Sequence, residues 1–325
     1  MSNQFAENPI SGKAITYRQS GGPEVISIVD RQVRAPREHE IRIAVVAAGV
    51  NPTDIQLRDP GFPGQAYPVV PGMDAAGIVE SIGSAVSRFR VGDRVMAVLL
   101  PTRPEGGAQA EYVVVPEASA AVIPDHLSFA GAATLPMNGL TALLALDLAG
   151  LSTGETLAVS GGAGLLASYI IPIARSRGLQ VIADARSEAV DQIRSYGADI
   201  VIERSLDFAE RVRDHFPRGV DAMIDTAVLG VPALGAVRDC GTYIPLRGWE
   251  SDVHERDIGI KPAFVFHALQ RTDWLELIRN LVQSGTIPLR AVSEYPPENI
   301  AGAQEAILAG SGKHRPVILF RTDVR

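Results

Sequence analysis

Cysteine occurs once in the 325 residues, at Cys240, so neither an internal disulfide nor a site built from several thiolates can form. Cys240 lies in the apolar stretch 236–245 and is expected as a small buried residue, not a catalytic thiol. The formal charge of −7 is spread along the chain with no block of Lys and Arg, so nucleic acid is not an expected partner. The six histidines, His39, His126, His215, His254, His267 and His314, show no ligand spacing and are read as structural. There is no G-x-S-x-G elbow and no carboxylate pair of glycosidase type. Long apolar runs are missing too: the longest, 135–151, is broken by Asn138 and Asp147, and Glu7 and Lys13 precede any apolar segment. Neither a signal peptide nor a membrane span is expected, and the expected compartment is the cytoplasm.

What is present is an ordinary globular composition, with 46% apolar and 21% charged residues. The length exceeds what one hydrophobic core usually supports, so two domains are expected. From 14 to 116 short β-branched runs at 40–47, 76–82, 94–99 and 110–115 are separated by Gly and Pro, predicting a β-rich domain. Beyond about 128 the texture becomes buried strands alternating with helices. Strands are predicted at 155–160, 180–183, 199–202, 222–225 and 242–245, with helices at 164–177, 187–196, 206–215 and 231–238. Repeated βα units imply a doubly wound parallel sheet. After an amphipathic helix at 274–283, the segment 289–320 returns to short strands around a helix at 297–309, and is read as rejoining the first domain. The expected division is 1–127, 128–285 and 286–325, the first and last forming one discontinuous domain.

The strand ending at Ser160 runs into Gly161-Gly-Ala-Gly-Leu-Leu-Ala167, where Gly162, Gly164 and Ala167 fit G-x-G-x-x-G/A. Gly162 is read as permitting the tight turn, Gly164 as letting backbone N–H groups approach a pyrophosphate, and Ala167 as allowing close helix packing. With Ala163, Leu165 and Leu166 these residues form the expected dinucleotide cradle, backed by the positive end of the following helix. The second strand ends Val181-Ile-Ala-Asp-Ala-Arg-Ser187. If Ala185 holds the position where a carboxylate would bind an NAD ribose, Asp184 points away and Arg186 and Ser187 are free for the 2′-phosphate of NADPH; a one-residue slip reverses this.

Gly21-Gly-Pro-Glu-Val25, Gly49-Val-Asn-Pro-Thr-Asp54, Gly72-Met-Asp-Ala-Ala-Gly77, Val91-Gly-Asp-Arg-Val95, Ala110-Glu-Tyr-Val-Val114 and Gly139-Leu-Thr-Ala142, with the glycine turn, make nearly the whole chain resemble the medium-chain dehydrogenase/reductase superfamily. The resemblance is to its zinc-independent quinone oxidoreductase (zeta-crystallin-like) branch. It implies an α/β fold: a Rossmann doubly wound parallel sheet plus a discontinuous GroES-like β-rich catalytic domain, with the active site in the cleft between them. Zinc-dependent relatives carry a cysteine where this chain has Asn51 and a histidine where it has Met73, and their four-cysteine structural-zinc loop is missing, so no metal is expected. Lacking a Lewis acid, the chemistry suits acceptors that are already electrophilic, a quinone or an enone.

The resemblance places Asn51 near the nicotinamide, the alternative being a turn residue before Pro52. It places Thr53 where relatives relay a proton, the alternative being a cap, and Thr141 near the cofactor phosphate and ribose, the alternative being helix packing. Tyr67 is a candidate for lining the substrate cleft, or a packed tyrosine. Asp54 is read as a structural hydrogen-bonding partner. Many quinone reductases have a tyrosine where this chain has Gln56, which removes any mechanism resting on that phenol. Around the 2′-phosphate, relatives' lysine and tyrosine positions are Val190 and Arg204 here, leaving Arg186 and Arg204 as the guanidinium pair. The leading expectation is an NADPH:quinone oxidoreductase, a homodimer as in the family. The alternatives are an enoyl reductase acting on an α,β-unsaturated ketone or thioester, with preference set by 57–67 and 246–266, and an NADPH-binding protein with little catalysis.

Overall fold

The computed structural model describes residues 8–247, 249–310 and 314–322; Glu7, used above for the absence of a signal peptide, lies outside them. Seven strands open the chain: β1 (Ile10–Tyr17), β2 (Ile26–Val33), β3 (Glu40–Gly49), β4 (Asp74–Ile82), β5 (Arg94–Val98), β6 (Tyr112–Pro116) and β7 (Ala120–Val122). Two short helices, α1 (Pro52–Arg58) and α2 (Phe129–Ala132), interrupt and follow them, and α3 (Pro136–Ala149) leads onward. Strand and helix then alternate: β8 (Thr156–Ser160), α4 (Ala167–Ser176), β9 (Gln180–Ala185), α5 (Val190–Ser195), β10 (Ile200–Glu203), α6 (Phe208–His215), β11 (Val220–Asp225), β12 (Val237–Pro245) and β13 (Gly259–Ile260). The described chain finishes with α7 (Thr272–Gln283), β14 (Ala291–Tyr295), α8 (Ile300–Leu308) and β15 (His314–Leu319).

Two compact units result, one of Met1–Met137, Leu269–Asn280 and Leu289–Arg325, the other of Asn138–Ala268 and Leu281–Pro288. In the first, the sheet order is β14-β15-β3-β4-β5-β7, with β6 also pairing β3. β14 and β15 run parallel and the other pairs antiparallel, while β1 and β2 form a separate two-stranded ribbon. Ile41, Ile43 and Val45 alternate along β3 into a core with Ala75, Val79, Val95 and Val113, the period of two that a half-buried strand requires. A second cluster joins Ile15, Tyr17, Leu57 and Val69 to Ile300 and Ile318.

The second unit is a six-stranded, all-parallel sheet in the order β10-β9-β8-β11-β12-β13, the doubly wound arrangement of a Rossmann fold. Its central strands are buried on both faces, which is why Leu157-Ala-Val159 and Val181-Ile-Ala183 are continuous apolar runs rather than alternating ones. Phe129–Ala149, the one described helical stretch long and apolar enough to cross a membrane, is almost wholly buried in protein.

Five expectations are corrected. The helix after the glycine turn begins at Ala167, three residues later than expected, because 164–166 form a turn. The helix expected at 187–196 is a 3-10 turn at Ser187–Ala189 followed by α5, and that at 231–238 is a 3-10 turn at Val231–Ala236. Strand β12 therefore starts at Val237 and carries Cys240, which is exposed rather than buried. There the strand slips register against β11, and Cys240 has φ 57° with its N–H bonded to Arg256 O at 2.9 Å, so the side chain leaves the sheet core.

Candidate functional site

In the β-rich unit, Asn51 stands at the junction of β3 and α1, where Pro52 at the first helical position frees no N–H and favours the turn into helix. Its backbone N–H donates to Asp54 Oδ2 at 2.8 Å, its Nδ2 donates to Asp74 Oδ2 at 2.8 Å, and its Oδ1 accepts from Arg315 Nη2 at 2.9 Å. Arg315 also donates to Val50 O at 2.9 Å, so β15 brings a cation to the end of β3. Asp54 Oδ1 accepts from Gly72 N at 3.0 Å and its Oδ2 also accepts from Gln109 Nε2 at 3.3 Å, so this carboxylate ties α1 to the Gly72 motif. Asp74 Oδ1 accepts from Met137 N at 2.6 Å.

All of this is dry: Asn51 is 2% exposed, Asp54 1% and Asp74 0%. Burial pushes Asp54 up to about 7 against the backbone N–H groups of Asn51 and Gly72 that hold it down, with the Asp74 charge adding to the rise. Burial likewise pushes Asp74 up to about 6, opposed by Met137 N–H, the Asn51 amide and Arg315. Thr53 is half-buried on α1 with its Oγ1 4.0 Å from Met73 Sδ. Tyr67 is not part of this group; it packs beside Tyr17, Leu57 and Val69. A Cβ on Gly61 would meet its hydroxyl at 2.8 Å.

In the parallel-sheet unit, the glycine turn lies at the carboxyl end of β8. Gly161 is the residue with positive φ, 68°, so the conformational demand assigned to Gly162 belongs to Gly161. Gly162 is needed for closeness instead, since a Cβ there would come within 2.6 Å of Asp184 O. Gly164 is exposed, and its N–H donates to Gly161 O at 2.7 Å, closing the turn. Ala163 and Leu166 are half-buried beside it, Leu165 is buried, and Thr141 is buried on α3.

Asp184 is 4% exposed and turned under the glycine turn, its Oδ1 accepting from Gly161 N at 2.5 Å and Gly162 N at 3.3 Å. Burial raises its pKa, against those two N–H groups and Arg204. Ala185 follows, also buried, and its carbonyl accepts from Arg204 N at 2.8 Å. Arg186 and Ser187 are exposed just beyond, and Arg204 Nε lies 3.9 Å from Asp184 Oδ2 with its side chain half exposed. The adjacent end of β11 holds Asp225, whose Oδ1 accepts from Ser160 Oγ at 2.6 Å and whose Oδ2 accepts from Tyr243 Oη at 2.6 Å and Gly230 N at 3.0 Å. Sequence reasoning missed Asp74, Arg315 and Asp225; only Asp74, inside the Gly72 motif, had a local signal.

The alcohol dehydrogenase GroES-like domain family matches residues 37–125. The chain is 30% identical to the 2-methylene-furan-3-one reductase of Solanum lycopersicum over 289 residues, covering 86% of this chain and 71% of that one. It is 28% identical to the quinone oxidoreductase of Rattus norvegicus over 324 residues, covering 95% and 97% of the two. The structure of mycobacterial Rv1454c complexed with NADPH superposes with a TM-score of 0.83 at 26% identity, covering 94% of this chain and 99% of that one. A GroES-like β unit joined to a Rossmann unit with its glycine turn defines an oxidoreductase of the nicotinamide-dependent, medium-chain class. Within it, the chain belongs to the quinone oxidoreductase (zeta-crystallin-like) branch of the medium-chain dehydrogenase/reductase superfamily.

Proposed function

We propose that the chain is an NADPH:quinone oxidoreductase that works without a metal. The observation carrying the cofactor choice is the end of β9: alanine at 185, Asp184 committed to the glycine turn, and Arg186 and Arg204 on either side. A carboxylate that selects NAD would repel a 2′-phosphate, whereas two guanidiniums and the Ser187 hydroxyl would grip one. The backbone of 162–166 would hold the pyrophosphate, with Thr141 beside it. When bound, the reduced nicotinamide supplies hydride.

The residues of the β-rich unit then orient and protonate. Asn51, its amide direction set by Asp74 and Arg315, positions the reacting pair. The Thr53 hydroxyl hands one proton to the acceptor oxygen that gains charge and is itself re-protonated from water, so hydride and a single proton complete the two-electron reduction. Tyr67 supports packing rather than chemistry. An amide at Asn51 and a thioether at Met73 are not a zinc ligand set, and among the described residues no three His, Cys, Asp or Glu side chains converge as one. The acceptor must therefore be electrophilic on its own, as quinones and enones are.

Reduction of an enone is the second reading, favoured by the tomato relative, whose name describes reduction of a methylene-furanone. Following oxidation of NADPH and NADH side by side with 9,10-phenanthrenequinone and an enone decides both questions. Preference for NADH overturns the assignment of Arg186 and Arg204, and tight NADPH binding without turnover favours a binding protein. A cytoplasmic homodimer is the proposed form. Among the described residues β13 is an edge strand paired with β12, and that edge with the exposed Phe264 and Phe266 supports a partner there, which sedimentation tests.

A further inference from the structure

We propose that the β-rich unit carries a second small-molecule site, a cavity under the 100–106 loop that takes an organic monoanion with a short apolar body. The cavity, about 210 Å³, has a floor of Val98, Leu99, Val115 and Leu269, all buried, and shares no residue with the Asn51, Asp54 and Asp74 group. That volume is below the range for drug-sized ligands, so the occupant is a fragment-sized molecule.

Three polar features define the ligand. Ser119 is 2% exposed and lines the cavity, and its hydroxyl makes no hydrogen bond among the described residues. A hydroxyl so placed lacks a partner that a ligand oxygen can supply. Arg37 and Arg103 stand on the cavity wall, both exposed, and their guanidinium groups likewise donate no hydrogen bond to any described residue.

The two carboxylates nearby are already matched. Arg34 Nη1 lies 2.5 Å from Glu40 Oε2, and Arg34 Nη2 lies 2.9 Å from Glu40 Oε1 and 2.8 Å from Glu105 Oε1. Arg31 donates to the Glu105 carbonyl. The charged lining is therefore Glu40 and Glu105, both paired with Arg34 from outside the cavity, and Arg37 and Arg103, whose guanidiniums hold no hydrogen-bonded carboxylate although Arg37 feels the Glu40 charge. An acid whose tail enters the apolar floor would present its carboxylate to these two lining guanidiniums, whose planar forks suit a carboxylate.

The probe is hexanoate, with 1-hexanol and hexylammonium as controls of the same length, titrated into the full chain by calorimetry and by NMR of the leucine and valine methyls. Saturable binding of one hexanoate per chain is expected, shifting Leu99, Val115 and Leu269, with 1-hexanol about tenfold weaker and hexylammonium not bound. The double variant Arg37→Ala, Arg103→Ala, altered only at exposed positions, should bind hexanoate about tenfold more weakly. Ser119→Val should block the cavity; if it does not fold, the arginine variant decides alone. No saturable binding, equal binding of hexanoate and hexylammonium, or unchanged affinity in the arginine variant overturns the proposal. NADPH turnover with 9,10-phenanthrenequinone, measured on the same samples, reads the proposed redox function separately.

Discussion

Asn51 donates its side-chain N–H to Asp74 at 2.8 Å while accepting from Arg315 at 2.9 Å, so the two ends of its amide cannot exchange without breaking both bonds. An anion on one side and a cation on the other determine which atom faces which way. That orientation depends on the charge of Asp74, and so on pH.

Burial lifts Asp74 to about 6 and Asp54 to about 7 from 3.8, so both bind protons more tightly folded than unfolded. The stability they contribute is complete below about pH 4 and is lost as pH rises through about 6 to 7. Asp74→Asn removes one share, so the gap in urea-unfolding free energy between wild type and variant should shrink from about pH 4.5 to about pH 7.5. A gap that widens over this interval contradicts the assignment.

Arg204→Ala should raise KM for NADPH about tenfold and leave NADH almost unaffected, since only the former offers a charge-assisted partner. The backbone bond from Arg204 N to Ala185 O survives the change, so thermal stability should hold. Equal effects on both cofactors would place the 2′-phosphate elsewhere.

Thr53→Val keeps the shape of the side chain and removes its hydroxyl. If that hydroxyl delivers the proton, kcat should fall about 100-fold with KM little changed. A variant with wild-type kcat would assign the proton to water.

Gly161→Ala forces a Cβ onto φ 68° and within 2.7 Å of Thr226 Oγ1, costing about 1–2 kcal/mol from the backbone alone. Tyr243→Phe leaves Asp225 buried with one donor fewer and should cost about 2 kcal/mol. Calorimetric melting of the two variants measures both; a Tyr243→Phe protein as stable as wild type would mean that the hydroxyl adds nothing.

The parallel sheet was readable because its evidence is local: apolar runs such as Val181-Ile-Ala183 separated by helix-length segments. The glycine motif was readable as well, yet the roles within it were not. Which glycine bears positive φ depends on how tightly the turn folds over β9, where Asp184 reaches up to Gly161. Cys240 was misjudged because apolar neighbours gave no hint of the slip between β11 and β12. Arg315 had no local signal, being an ordinary charged residue until β15 lies against β3. Side chains recruited across hundreds of residues are invisible to any short window.

Strand β15 pairs with β3 and brings Arg315 to Val50, 265 residues earlier. At a ribosome adding 5–20 residues per second, roughly 15–50 s separate the emergence of these two partners. The parallel sheet has time to close while Ala47–Gly49 waits as an open edge, exposed to wrong pairing and to chaperones. Arg315 therefore cannot reach Asn51 until β15 has been made, and until then the Asn51 and Asp74 pair lacks its cation.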